Sequence, residues 1–520
     1  MNDLSAVRRS SRTSQSGAAT AGKHASAAAP SHLPIAIIGA GFGGIGLAIK
    51  LREAGIGDFT ILERADALGG TWYHNSYPGC ACDVPSALYS YSFAQNPDWS
   101  RKYGAQPEIL AYLRGVAQRY EIERHIRFGQ ELIEAHWDEA TQRWQLATNH
   151  GALTADVLVS ACGPFNDPLI PRLPGLENFK GAAFHTARWD HQHRLGGRNV
   201  AVIGTGASAI QVIPAIQPQV RKLSVFQRTP TWIVPRWDHA RSTVERELTR
   251  RIPLAQKAVR TTWYLGIESL GLSLFVDRRL VWPFEALGRY QLRRQVQDPE
   301  LRSKLTPHFT LGCKRAVFSD AYYPALTQPN VELVTEGIRE IREYSIVTQD
   351  GVEHRVDTLI FGTGFHVPGK VYERIRGRDG RTLAEVFGTQ PRAYLGTTFS
   401  GCPNLFMLLG PFSAGGNQSA IYMLENQARY VVDAIRTMRA RGLASVEPHA
   451  EVQEAFHEEM KERSRKTTWV AGGCKSYYQN SEGGNGGLWP NWSFLYRRRT
   501  QHFDLDNYMT RSRVESGANA

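Results

Sequence analysis

The first regular pattern along the chain is a short apolar run, Pro34-Ile-Ala-Ile-Ile38, that passes directly into the glycine-rich stretch Gly39–Gly55. A short apolar run stopped by glycine reads as a buried strand, and the stretch after it spaces its apolar residues as a helix does. A second apolar run, Phe59-Thr-Ile-Leu62, ends in Glu63, so the segment predicts strand, glycine turn, helix, strand. The same grammar returns when Arg198–Ile203 runs into GTGASAIQVIPAI and Leu223-Ser-Val-Phe226 ends at Gln227-Arg228. Two more apolar runs, Val157–Ser160 and Thr358–Phe361, each follow an aspartate and precede a small turn containing glycine. They are expected to mark where the chain leaves one unit and returns to it, with the second unit inserted in the first.

The pattern divides the chain into a tail (1–32), a first unit (33–165), a linker (166–198), a second unit (199–345), the return of the first unit (346–505) and a C-terminal tail (506–520). The N-terminal tail is rich in Ala, Ser and Thr and nearly free of large apolar side chains, so it is expected to be disordered. It is also Arg-rich and poor in acids, which leaves a transit peptide open as an alternative. Residues 236–310 carry Arg, Leu and aromatics at helical spacing and predict a helical insertion. A surface that touches membrane or holds apolar substrate is the second reading of that insertion.

Composition narrows the class further. At 520 residues the chain calls for two or three domains. The formal charge of +12 is spread along the chain rather than clustered, and no nucleic-acid motif accompanies it. Six scattered cysteines without a Cys-x-x-Cys pair argue against a disulfide framework and for a reducing, cytoplasmic setting. No apolar run is long enough to span a bilayer.

The chemistry concentrates in the two glycine turns. In Gly39-x-Gly41-x-x-Gly44, one glycine permits the turn, one lets backbone approach a pyrophosphate, and one allows close helix packing. Glu63 follows at the spacing where a carboxylate accepts hydrogen bonds from a ribose, which suits FAD. In Gly204-x-Gly206-x-x-Ala209 the corresponding position holds Arg228, followed by Thr229. An arginine there accommodates a 2′-phosphate and points to NADPH; a plain surface arginine is the alternative. The expected fold is therefore α/β, with two Rossmann-like dinucleotide-binding domains, for FAD and NADP, and a helical insertion.

Between the two units stands Phe179-x-Gly181-x-x-x-His185-x-x-x-Trp189-Asp190, which resembles the fingerprint of Baeyer–Villiger monooxygenases at every defined position. Gly69-Gly-Thr-Trp72, Tyr77-Pro-Gly79, Cys82-Asp83 and Tyr89–Phe93 are similar to the flavin-contacting stretch of that family. Gly312-Cys-Lys-Arg315 with Tyr322-Tyr323 is similar to the segment that bears its catalytic arginine. The resemblance implies an NADPH- and O2-dependent enzyme that converts a ketone to an ester or lactone through a C4a-peroxyflavin. It implies Arg315 and Asp83 as the catalytic pair and His185 as a linker that couples domain movement to catalysis. Flavin contacts are implied for Gly43, Thr71, Trp72, Asp83, Tyr89 and Leu132. Contacts to NADPH are implied for Thr205, Ala207, Ser208, Ala209, Arg228, Thr229, Lys314 and Tyr477. This chain departs from the family at Gly410–Asn417, at Tyr477, where many relatives have tryptophan, and at Gly362-Thr-Gly364. Oxygenation of nitrogen or sulfur, a flavin disulfide reductase and a cofactor-binding scaffold are the rival readings.

Overall fold

The computed structural model describes residues 30–513 apart from Pro368, so the expected disorder of residues 1–29 lies outside the described residues. Order begins slightly before Leu33, with Ser31 and His32 paired to Leu153 and Thr154. Strand Ser31–Ile38 lies at the centre of an eight-stranded sheet, parallel to Phe59–Leu62 on one side and Gly151–Ser160 on the other. An antiparallel pair, Leu132–Asp138 and Arg143–Thr148, extends this sheet, and Leu405–Met407 returns to pair with Gly151–Ser160. Apolar runs buried on both faces are what a parallel sheet covered by helices requires.

The second sheet has five parallel strands in the order Val331–Val334, Lys222–Phe226, Asn199–Ile203, Thr358–Phe361, Ala182–His185. Two expected boundaries are corrected here. Thr358–Phe361 belongs to the second unit and not to the returning first one, because it pairs residue by residue with Asn199–Ile203. Asp357 fixes that register, accepting from the Asn199 amide at 2.8 Å. The linker is likewise not a bare connection: Ala182–His185 is the edge strand of the second sheet. The chain crosses between units at two neighbouring places, joined by a bridge from Pro168 to Phe365 and by the Leu169 amide donating to the Gly364 carbonyl.

Between the crossings, residues 236–310 form helices, among them Thr243–Arg251, Pro253–Ser269 and Trp282–Gln295. Among the described residues no helix is long and apolar enough to cross a membrane. The expected C-terminal tail is also corrected. Tyr508–Ser512 is a strand, antiparallel to Leu443–Pro448, and only residues 514–520 lie outside the described residues. A further correction concerns the cysteines, since Cys313 and Cys474 are disulfide-bonded across 161 residues of sequence. Cys80, Cys82, Cys162 and Cys402 are free.

The two units meet where the loop Tyr77–Asp83 of the first lies on helix Ala207–Ile216 of the second. Gln211 on that helix accepts from the Tyr77 hydroxyl at 3.0 Å and donates to the Ala81 carbonyl at 3.0 Å. Gly79 makes the approach: its φ is +82°, and a Cβ there would stand 2.6 Å from the Gln211 carbonyl oxygen. Gly79→Ala is therefore expected to destabilise the protein by about 1–3 kcal/mol, the usual range for strain at a special backbone position. A control, Gly57→Ala, meets nothing within 4 Å and should be silent. Thermal unfolding of the two variants beside the parent checks this, and an unchanged melting temperature for Gly79→Ala would refute it.

Candidate active site

Both glycine turns, the loop Tyr77–Asp83 and the segment Lys314–Arg315 line one cavity of about 1660 Å³. Single small-molecule sites occupy roughly 300–1,000 Å³. The cavity exceeds that range and has room for more than one ligand.

Helix Phe42–Glu53 opens on Gly41 with no side-chain cap, and its first turn holds no acid. Its free amides and the positive end of its dipole therefore face the cavity. Packing explains some of the glycines and not others. A Cβ at Gly44 would lie 2.0 Å from the Gly39 carbonyl oxygen, so Gly44 serves helix–strand contact. Gly41 has an ordinary φ of −89°, and a Cβ there would meet nothing closer than 3.5 Å. What its missing side chain keeps open is the cavity. Glu63 is buried, accepting from the Ala40 amide at 2.7 Å and the Ala65 amide at 2.9 Å. Held in that way at the cavity wall, the carboxylate can still accept from ribose hydroxyls. The residues present thus fit the pyrophosphate and adenosine of FAD. Gly43, Thr71, Trp72, Tyr89 and Leu132 line the same cavity, and the Trp72 indole N–H donates to the Tyr89 hydroxyl at 3.0 Å.

The second turn repeats the design. Helix Ala207–Ile216 opens on Gly206, again uncapped, and a Cβ there would meet its nearest protein atom only at 4.0 Å. Gly204, Thr205, Ala207, Ser208 and Thr229 line the cavity, while Ala209 lies behind it, buried against Gly362. Gly44 packs against the Gly39 carbonyl, and Ala209, for which an NADPH contact was implied, is thus a packing residue. Arg228 and Lys314 come together at the rim, and among the described residues neither forms a salt bridge. Burial and the neighbouring Arg228 charge hold the Lys314 ammonium below its usual range. Two cations kept together without a carboxylate suit a phosphomonoester.

An ion pair at the cavity wall crosses the seam of the two units. Arg315 donates from Nε to Asp83 Oδ2 at 2.9 Å and from Nη2 to Asp83 Oδ1 at 2.6 Å, a two-pronged pairing. The Asp83 carboxylate raises the Arg315 guanidinium well above its ordinary value, so it stays charged in its part-buried place. Arg236, missed at the level of sequence, secures the carbonyl next to this aspartate by donating to Cys82 O at 3.1 Å. It is one more arginine in an arginine-rich insertion, and no motif distinguishes it. Tyr477 is half-exposed at the cavity edge, its ring 6.1 Å from that of Phe165.

The fingerprint residues do not line the cavity. Phe179 packs under the second sheet, and a Cβ at Gly181 would meet the Asp357 carbonyl oxygen at 2.4 Å. Trp189 packs edge-on against Phe184, and Asp190 caps the amides of Gln192 and His193. His185 ends the edge strand beside Phe365, which does line the cavity. Its Nδ1 accepts from the Ala187 amide at 3.1 Å, and its Nε2 is buried near the Gly364 backbone. Burial lowers its pKa from 6.5 to about 4, so the ring is neutral at pH 7.

Several known proteins resemble this chain over most of its length. Residues 36–252 match the pyridine nucleotide-disulphide oxidoreductase family. A Baeyer-Villiger monooxygenase of Streptomyces coelicolor is 45% identical over 480 residues, covering 92% of each chain. The crystal structure of cyclohexanone monooxygenase from Rhodococcus sp. Phi1 bound to NADP+ superposes with a TM-score of 0.83 at 29% identity, over 93% of this chain and 100% of that one. A crystal structure of OTEMO in complex with FAD and NADP gives 0.83 at 26% identity, over 92% and 99%.

The neutral His185 has a consequence for acid stability. The unfolded chain takes up a proton near pH 6.5 that the folded chain refuses until about pH 4. Its contribution to stability is therefore complete above pH 6.5 and is lost as the pH falls toward 4. His185→Gln should flatten this part of the melting-temperature profile, measured by calorimetry from about pH 7.5 to 4.5. Parallel profiles for the variant and the parent would contradict the assignment.

Proposed function

The chain belongs to the Baeyer–Villiger monooxygenase family, and from that premise we propose how its own residues insert an oxygen atom beside the carbonyl of a ketone to give an ester or lactone. The observation that carries the reading is the two-pronged Arg315–Asp83 pair, set in a cavity that both nucleotide turns line. When bound, NADPH and FAD supply the reducing equivalents and the dioxygen chemistry. The amide end at Gly41 and the Glu63 carboxylate hold FAD, while Gly206, Thr205, Arg228 and Lys314 hold NADPH.

Oxygen insertion beside a carbonyl builds negative charge on the carbonyl oxygen. A guanidinium fixed before the reaction starts stabilises that charge without having to reorient, which is where preorganised sites gain most. Asp83 keeps Arg315 in one orientation and balances its charge, leaving the guanidinium edge away from the aspartate to face substrate. Arg236 positions the Cys82–Asp83 backbone. The apolar lining, including Phe165, Leu409 and Leu488, excludes water and accepts an apolar ketone. We assign dioxygen and a small ketone as the co-substrates. Dependence on NADPH supports a cytoplasmic place of action.

Arg315→Ala should retain FAD, read from its visible absorbance, and lose ester formation by about 10²–10³-fold, the usual cost of one oxyanion-stabilising donor. Asp83→Asn keeps a hydrogen-bonding side chain but removes the balancing charge, and a smaller loss is expected. Gas chromatography of products from a ketone panel with NADPH and air measures both. Normal ester yield from Arg315→Ala would overturn the assignment.

A further inference from the structure

The segment that carries Lys314 and Arg315 begins at Cys313, and the segment that carries Tyr477 begins at Cys474. These two cysteines are bonded, with their Cα atoms 6.1 Å apart. The contact around the bond is continuous. The Ser476 hydroxyl donates to the Cys313 carbonyl at 3.2 Å, and the Thr310 amide donates to the Gly472 carbonyl at 3.0 Å. Lys314, Arg315 and the run Lys475–Ser481 all line the cavity, so the bond ties two of its walls together. The staple also joins the second unit, which supplies Arg315, to the returning part of the first.

We propose that the Cys313–Cys474 pair is a redox-dependent positioning device for the active site. Closed, it holds the Tyr477 segment against Lys314 and Arg315 and keeps the NADPH side of the cavity tight. Open, it leaves that segment held by a few loop hydrogen bonds, and nicotinamide binding and water exclusion weaken. The oxidant is hydrogen peroxide. The two thiols give up two protons and two electrons, the S–S bond forms, the O–O bond breaks, and two molecules of water leave. A site that oxidises NADPH without oxygenating substrate itself produces that oxidant, since NADPH, a proton and dioxygen yield NADP+ and hydrogen peroxide. Leakage therefore closes the staple that limits leakage.

The other thiols do not compete. Cys80, Cys82 and Cys402 are buried, and burial pushes Cys80 up to about 12 and Cys162 to about 11, so these groups carry almost no reactive thiolate at neutral pH. Within the pair Cys313 is fully buried, whereas Cys474 is only partly so, and it is the sulfur that solvent reductants reach first.

The proposal rests on Arg315 and Tyr477 belonging to the site, and its test is read separately from theirs. Thiols of the purified holoenzyme are counted under denaturing conditions after peroxide treatment and again after reduction by a phosphine. Four and then six are expected. Reduction should raise the KM for NADPH by about fivefold or more, the lower range of coupling between linked sites. It should raise peroxide released per NADPH alongside, with FAD content and kcat little changed, and reoxidation should reverse both. Cys474→Ser should sit permanently in the reduced pattern and not respond to either reagent. Six thiols after peroxide treatment, or a reduced enzyme with unchanged KM and peroxide release, would overturn it. The reversible cycle on the parent enzyme needs no variant to fold, and a failure of Arg315→Ala to lose ester leaves the thiol count and KM shift readable.

Discussion

Between Arg315 and Asp83 a guanidinium and a carboxylate face each other across the seam of two domains, 232 residues apart in sequence. Even partial burial of two charges costs solvation, and their mutual attraction offsets it best when the geometry is close to ideal. Two parallel hydrogen bonds at 2.9 and 2.6 Å meet that condition. Such a pair adds little net stability, but removing one partner strands the other. It therefore acts as a constraint on where the two domains sit. Gln211, clasped to Tyr77 and Ala81, and Arg236, bonded to the Cys82 carbonyl, secure the loop that leads up to the aspartate. The ion pair is thus built from residues of both domains and exists only when they are docked.

The nucleotide turns show how one local pattern does two physical jobs. Gly44 and Ala209 let helix and strand approach closely, and their small size is demanded by protein atoms. Gly41 and Gly206 are demanded by no protein atom, and their missing side chains leave uncapped amides facing open space. The two turns diverge just past their second strands, where one has the buried carboxylate Glu63 and the other the cations Arg228 and Lys314. That difference separates a ribose hydroxyl from a ribose phosphate.

Legibility in the sequence followed the range of the interaction. The glycine turns, Glu63 and Arg228 were readable because strand, turn and helix lie within about 30 residues of one another, the span of one βαβ unit. The apolar run Thr358–Phe361 announced a strand, but an apolar run says nothing about which sheet it joins, and Asp357 settled that through a partner far back in the chain. Tyr508–Ser512 was read as tail because it is an edge strand with exposed polar side chains, which lacks the apolar signal. Cys313 and Cys474 looked scattered for the same reason, since only the folded chain brings them together. Arg315 and Asp83 were singled out by family resemblance, and their pairing belongs to tertiary structure alone.

The two crossings between the domains lie side by side, linked from Pro168 to Phe365 and from Leu169 to Gly364. A domain joined by a single strand of chain can swivel and twist, whereas one hung on two adjacent strands behaves like a door on two pins. It swings about one axis, and its free edge travels farthest. The rings of Phe365 and Phe165 lead from that hinge to Tyr477, on the segment the staple holds, so this wall of the cavity lies beside the axis. A wall close to the axis travels least, so rotation at the crossings leaves this side of the cavity nearly in place while its far side opens.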